Sequence, residues 1–181
     1  MTRTILIALG TLALTTSAFA QADPEVEKAL LAAPRQAREA TAVIKWKADG
    51  TYDTLKPGTN RLVCYDQSGQ PTEQPFSVQC TSVENLKRVA QNKQFEMEAD
   101  RVKRQALVAA AEKDGTREKA EYGSIFYNFS GKDRETARAH MTIAVPGATT
   151  ASTGLPDNNK MGGAWIMGAG TPGAHIMVPG S

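Results

Sequence analysis

The sequence has few of the side chains that enzymes and metalloproteins use most often for chemistry. Its 181 residues include two histidines, two cysteines and two tryptophans. It also lacks the residue spacings typical of zinc peptidases, serine hydrolases, nucleotide-binding loops, dinucleotide-binding folds and haem attachment. These absences leave any catalytic residues unassigned and favour a protein without enzymatic activity.

The chain also lacks a strong excess of charge of either sign. Lys and Arg number 21 against 19 Asp and Glu, which gives a formal net charge of +2. Binding to nucleic acid or to an anionic membrane surface usually depends on a clear surplus of basic side chains. We therefore expect no nucleic-acid partner.

One apolar run stands at the start of the sequence and is too short for a membrane span. Arg3 precedes the run at residues 5–14, and small side chains follow, ending in Ala18-x-Ala20. This order is typical of a cleavable signal peptide, whereas a spanning helix needs about 20 apolar residues. We expect a signal peptide over residues 1–20 and a single mature domain over residues 21–181. The mature protein is expected to be bacterial, periplasmic or secreted, and without a membrane span.

The two cysteines are expected to form a disulfide in that oxidising setting. Cys64 and Cys80 each lie in a short β-rich run, at residues 61–65 and 76–80. Such neighbouring runs can pair as strands, and closing a loop of this size stabilises a fold by about 3 kcal/mol. The alternative is a redox or metal-binding pair, but the Cys-x-x-Cys spacing that tunes thiol reactivity is absent.

The first half of the mature chain predicts a meander of strands followed by one long helix. Strand-like runs separated by turn residues predict three or four antiparallel strands, at residues 41–46, 52–55, 61–65 and 76–80. Thr81-x-x-Glu84 resembles a capping box, and Asp114-Gly115 is a helix end. Between them, Phe95, Ala99, Val102, Ala106 and Ala109 recur at helical spacing, which predicts one apolar face. We therefore expect a single helix near residues 82–113.

The final third is rich in glycine and predicts further strands. The β-rich runs are at residues 124–129, 138–145, 164–167 and 174–178, and the last two are separated by a turn-rich segment typical of a hairpin. Together with the first half, this predicts an α+β fold in which an antiparallel sheet packs against the long helix. Whether the two sets of strands form one sheet or two stays open.

A short internal repeat places the two histidines in similar sequence contexts. His140 precedes Val145-Pro146-Gly147, and His175 precedes Val178-Pro179-Gly180. The His-to-Val spacings differ by two residues, so the histidines would face the same way on neighbouring strands. Met177 lies two residues beyond His175 and therefore on the same strand face. Imidazole with thioether is a soft ligand set that suits copper, and zinc is the other candidate ion. The alternative is that the methionines fill the core and each histidine bonds locally.

Three functions from different classes remain open. The first is a non-enzymatic exported protein that binds an envelope protein or a small ligand. The second is a soft-metal protein that uses His140, His175 and Met177. The third is a small hydrolase with a site near the loop at residues 147–161, drawing its nucleophile from among Ser124, Ser130 and Ser152.

Cleavage after Ala20 is directly testable. We expect the exported protein to begin at Gln21, and intact-mass measurement after expression in a bacterial host will report this. Replacing Ala20 with Arg should block processing, because the signal peptidase accepts small side chains at this position. An unprocessed mass for the exported wild-type chain would contradict the expectation.

Overall fold

A computed structural model describes residues 23–180, which contain one mixed sheet of eight strands. The expected signal peptide, residues 1–20, therefore lies outside the described residues. The sheet order is β2-β1-β3-β4-β5-β6-β8-β7. The strands are β1 (Ala42–Trp46), β2 (Tyr52–Lys56), β3 (Leu62–Asp66), β4 (Phe76–Ser82), β5 (Ile125–Gly131), β6 (Arg138–Ala144), β7 (Trp165–Met167) and β8 (His175–Pro179).

Four α-helices accompany this sheet in the described part of the chain. They are α1 (Pro24–Ala29), α2 (Leu86–Glu96), α3 (Arg101–Asp114) and α4 (Thr150–Thr153). Short 3₁₀ helices cover Leu30–Ala32, Arg35–Ala37 and Val83–Asn85. The Asp23 side chain caps α1 by accepting a hydrogen bond from the Glu25 amide, and Pro24 occupies the first helical position.

The expected long helix near residues 82–113 is wrong, because the segment folds as two helices with a break between them. The carboxylate of Asp100 accepts hydrogen bonds from the amides of Val102 and Lys103 and so caps a new helix, α3. An aspartate at this position competes with helix continuation, since it satisfies the free amides of a fresh first turn. The predicted apolar face fails as well, because Val102 is 75% exposed.

The start of this helical region also differs from the expectation. Thr81 lies in β4 rather than at a helix cap, and its hydroxyl accepts a hydrogen bond from the side chain of Asn85. Ser82 takes the capping position, where its hydroxyl accepts from the Glu84 amide. A helical segment therefore does start here, but its capping residue is Ser82 and not Thr81.

The α+β class is confirmed, although the sheet is mixed rather than antiparallel. β1 and β2 form the expected antiparallel hairpin, but β3 pairs with β1 in parallel. β2 is therefore left at the edge of the sheet. The other neighbouring pairs, from β3 through to β7, are antiparallel. All eight described strands belong to one sheet, which answers the question left open above.

The two faces of the sheet are covered by different helices. On one face, Cys64, Cys80 and Val43 pack with Ala29 and Ala33 from the N-terminal helical segment. On the opposite face, α2 contributes Val89 to a second apolar cluster that contains the fully buried Tyr65. This second face continues under α2 toward β5, β6 and β8, where the candidate site lies.

The expected disulfide is confirmed. Cys64 and Cys80 are bonded, face each other directly across the β3–β4 pair and are fully buried. The bond therefore joins two central strands beneath the N-terminal helical segment. Among residues 23–180, no helix has the length and apolar character to cross a bilayer.

Removing the disulfide should lower the free energy of unfolding by about 3 kcal/mol, since a bond that spans 16 residues limits the unfolded chain. Urea denaturation of a Cys64→Ala/Cys80→Ala variant measures this. Adding a thiol reductant should destabilise the wild type and leave the double variant unchanged. Equal midpoints for the two proteins would show that the bond adds no stability.

Candidate functional site

A cleft of about 410 Å³ lies between α2 and the second face of the sheet. Strands β4, β5, β6, β7 and β8 form its floor, and α2 forms one wall with Arg88 and Asn92. The floor residues are Gln79, Phe126, Asn128, His140, Thr142, Met167, His175 and Met177. The segment before β8, with Pro172 and Gly173, closes one end.

The cleft brings together the three residues singled out as metal ligands. β6 and β8 are neighbours in the sheet, and His140, His175 and Met177 all line the cleft. This follows from strand alternation, because His140 and Thr142 on β6 lie opposite Pro179 and Met177 on β8. Met141 points to the other face, as its position next to His140 requires.

The antiparallel register separates the two histidines along the strands. His140 pairs with Pro179, whereas His175 pairs with Ala144. Four residues of strand correspond to about 13 Å, so the imidazoles lie at opposite ends of the cleft floor. Met177 lies between them, two residues from His175 and diagonal to His140. A metal site shared by His140, His175 and Met177 stays a prediction, and this register separates its two histidines.

Met167 joins this set and was missed by the sequence reasoning. It lies directly opposite His175 in the β7–β8 pair, and 44% of its surface is exposed. The sequence had predicted the β7–β8 hairpin, and aligning its two arms would have placed Met167 beside His175. Methionine most often fills gaps in a core, so the sequence alone favours a core role for Met167.

His175 has a defined tautomer. Its Nδ1 atom lies 2.8 Å from the carbonyl oxygen of Gly173. A carbonyl oxygen only accepts hydrogen bonds, so Nδ1 carries the proton and donates it. The lone pair of the neutral ring is therefore on Nε2, which is the atom left for a ligand.

His140 is half-buried near the other end of the floor. Burial lowers the pKa of His140 from its ordinary value, and the carboxylate of Glu73 opposes this in part. The ring is therefore neutral at pH 7.

A chain of side-chain hydrogen bonds crosses the floor of the cleft from one buried end. The hydroxyl of the buried Tyr65 donates to Oε1 of Gln79. Nε2 of Gln79 then donates to Oδ1 of Asn128 at 2.5 Å. The tyrosine hydroxyl thereby sets the orientation of both amides, because each acceptor oxygen is already occupied.

Two of the three serines proposed for a hydrolase, Ser124 and Ser152, make hydrogen bonds away from the histidines. The hydroxyl of Ser124 donates to the carbonyl of Glu121, and that of Ser152 bonds within its own helix cap at Thr149. Within residues 23–180, neither histidine has a hydrogen bond to a serine, since the one histidine bond is that of His175 to Gly173. The hydrolase alternative therefore gains no geometric support.

The chain from Tyr65 to Gln79 can be tested by a double-mutant cycle. Gln79→Leu should lower the free energy of unfolding by about 1–3 kcal/mol, because it leaves the buried tyrosine hydroxyl without an acceptor. In a Tyr65→Phe background the same change should cost much less, since both polar partners are then gone. Urea denaturation of the four proteins gives the coupling, and equal costs in both backgrounds would contradict the hydrogen bond.

No protein-family model matches the sequence, and neither a curated protein nor a solved structure matches the chain.

Proposed function

We propose that this protein is an extracytoplasmic soft-metal-binding protein that holds Cu(I) between His175, Met177 and Met167. The observation that carries the proposal is the grouping of one imidazole and two thioethers at one end of the cleft. Thioether and imidazole ligands favour Cu(I) over harder cations. This makes copper a better candidate than zinc, which prefers thiolate, imidazole and carboxylate.

The strand geometry supports a shared coordination sphere. Met167 and His175 are directly opposite residues of an antiparallel pair, whose Cβ atoms lie about 4.5–5.5 Å apart. Met177 is two residues from His175 on the same face, about 7 Å along the strand. Methionine has a long and flexible side chain, so both sulfur atoms can reach a metal held on Nε2 of His175.

The hydrogen bond from His175 to Gly173 supports the same assignment. Histidines that bind metals commonly donate their other ring N–H to a backbone carbonyl or a carboxylate. That bond holds the ring in one orientation and raises the basicity of the ligating nitrogen. Here the Gly173 carbonyl supplies it at 2.8 Å, before any metal is bound.

His140 has a different place in this proposal from the one first expected. Because His140 lies far from His175 along the strands, we assign it to the cleft floor, outside the proposed coordination sphere. The expected compartment supports the choice of metal, because Cu(I) meets fewer competing thiols outside the cytoplasm. The confirmed disulfide is compatible with that compartment. The wider expectation of an exported, non-enzymatic binding protein includes this function.

Competition with a chromophoric Cu(I) chelator, in ascorbate and without oxygen, tests the proposal. Met167→Leu, Met177→Leu and His175→Gln should each weaken Cu(I) binding at least tenfold, or about 1.4 kcal/mol, because each removes a ligand. Met161→Leu is the matched control, since Met161 is 84% exposed and lies outside the cleft lining.

Two results would overturn this assignment. The first is unchanged affinity in the Met167→Leu/Met177→Leu double variant. The second is a larger loss in His140→Gln than in His175→Gln, which would move the metal to the other end of the cleft. Retained far-ultraviolet circular dichroism in each variant excludes unfolding as the cause.

A further inference from the structure

The wall of the cleft that faces the histidines carries mostly hydrogen-bond donors. Arg88 and Asn92 lie four residues apart on α2 and both line the cleft. Residues at this spacing are neighbours on one helix face. Asn128 faces them from β5 in the floor. The hydrogen bonds already made by these side chains decide which atoms remain for a ligand.

Arg88 is a half-buried cation with free donor capacity. Its Nη1 atom donates to the carbonyl of Glu118 at 2.6 Å, whereas Nη2 has no hydrogen-bond partner among residues 23–180. A side chain built on Gly173 would meet Nη2 at 3.8 Å, so this atom lies beside the end of the cleft. Glu112 is the nearby carboxylate, but it forms no ion pair with Arg88 within the described residues.

Asn92 is oriented by a second arginine. Nη2 of Arg117 donates to Oδ1 of Asn92, and Nη1 donates to Oε1 of Gln91. The amide oxygen of Asn92 is therefore occupied, and its NH₂ group is left to donate. Burial, with the positive charge of Arg88 as the next cause, lowers the pKa of Arg117 to about 10, so both arginines are charged at pH 7.

Asn128 also presents a hydrogen-bond donor to the cleft. Its Oδ1 atom is taken by Gln79, and its Nδ2 atom donates to the carbonyl of Phe126 at 3.3 Å. One amide hydrogen remains. Three side chains from two elements thus offer N–H groups, and the amide oxygens of both asparagines are used inside the protein.

We propose that the cleft binds a small organic carboxylate through Arg88, Asn92 and Asn128. The two oxygens of a carboxylate match a guanidinium group, and charge-assisted bonds of this kind are stronger than neutral ones. Phe126 gives an apolar surface for the carbon skeleton, and the volume of about 410 Å³ is that of a small-molecule site. The proposal does not depend on the metal, since none of its three donor side chains is a proposed copper ligand.

Calorimetric titration at low salt tests the proposal with succinate, glutamate and citrate as probes. We expect at least one of them to bind, and succinamide, which has the same skeleton without charge, to bind at least tenfold more weakly. Inorganic phosphate is the second comparison, because a guanidinium also binds phosphate. Failure of all three carboxylates, tighter binding of phosphate, or equal binding of succinamide would overturn the proposal.

Asn92→Asp is the sharpest variant. It preserves the shape of the side chain and gives Arg117 an ionic partner, so the fold should be retained. It also replaces the donating amide by a negatively charged acceptor, and we expect carboxylate binding to fall at least tenfold. Arg88→Gln should have a similar effect, whereas Arg101→Gln, on the exposed start of α3, should have none. Unchanged binding in both cleft variants would overturn the assignment.

The metal and carboxylate proposals can fail separately. The Met167→Leu/Met177→Leu variant should lose Cu(I) and still bind the carboxylate. The Asn92→Asp variant should do the reverse. Loss of the carboxylate in the methionine variant would place its site on the other side of the cleft and contradict the donor wall.

Discussion

The antiparallel pairing of β8 between β6 and β7 is the constraint on which the candidate site depends. Alternation along these strands puts His140, His175, Met167 and Met177 on one face, and the register decides which of them are neighbours. A shift of one residue in β8 would turn its histidine and methionine to the opposite face. The backbone pairing of β8 therefore decides which side chains line the cleft.

The disulfide and the candidate site lie on opposite faces of the sheet. Cys64 and Cys80 join the two central strands beneath the N-terminal helical segment. The opposite face carries the apolar cluster under α2 at one end and the polar cleft at the other. Tyr65 links the two regions, because its ring belongs to the buried cluster and its hydroxyl orients the amides of the cleft floor.

The strands were largely predictable because each is a short β-rich run between turn residues. The disulfide was predictable because Cys64 and Cys80 lie in neighbouring runs. The long helix was not, because periodicity does not reveal that Asp100 captures two amides and starts a new helix. The parallel pairing of β3 with β1 was not predictable either. The sequence of β2 is the same whether β2 lies between β1 and β3 or at the edge of the sheet.

For the candidate site, the sequence by itself determined the supply of candidate ligands: two histidines, six methionines, and a final hairpin that contains His175, Met167 and Met177. It also determined strand parity, which puts His140 and His175 on one face once their strands are neighbours. Only the tertiary structure decided that the histidines lie apart, that Met167 lies opposite His175, and that Arg88 and Asn92 face them from α2. The physical reason is that register and helix docking arise from contacts between residues distant in the chain, which local patterns do not encode.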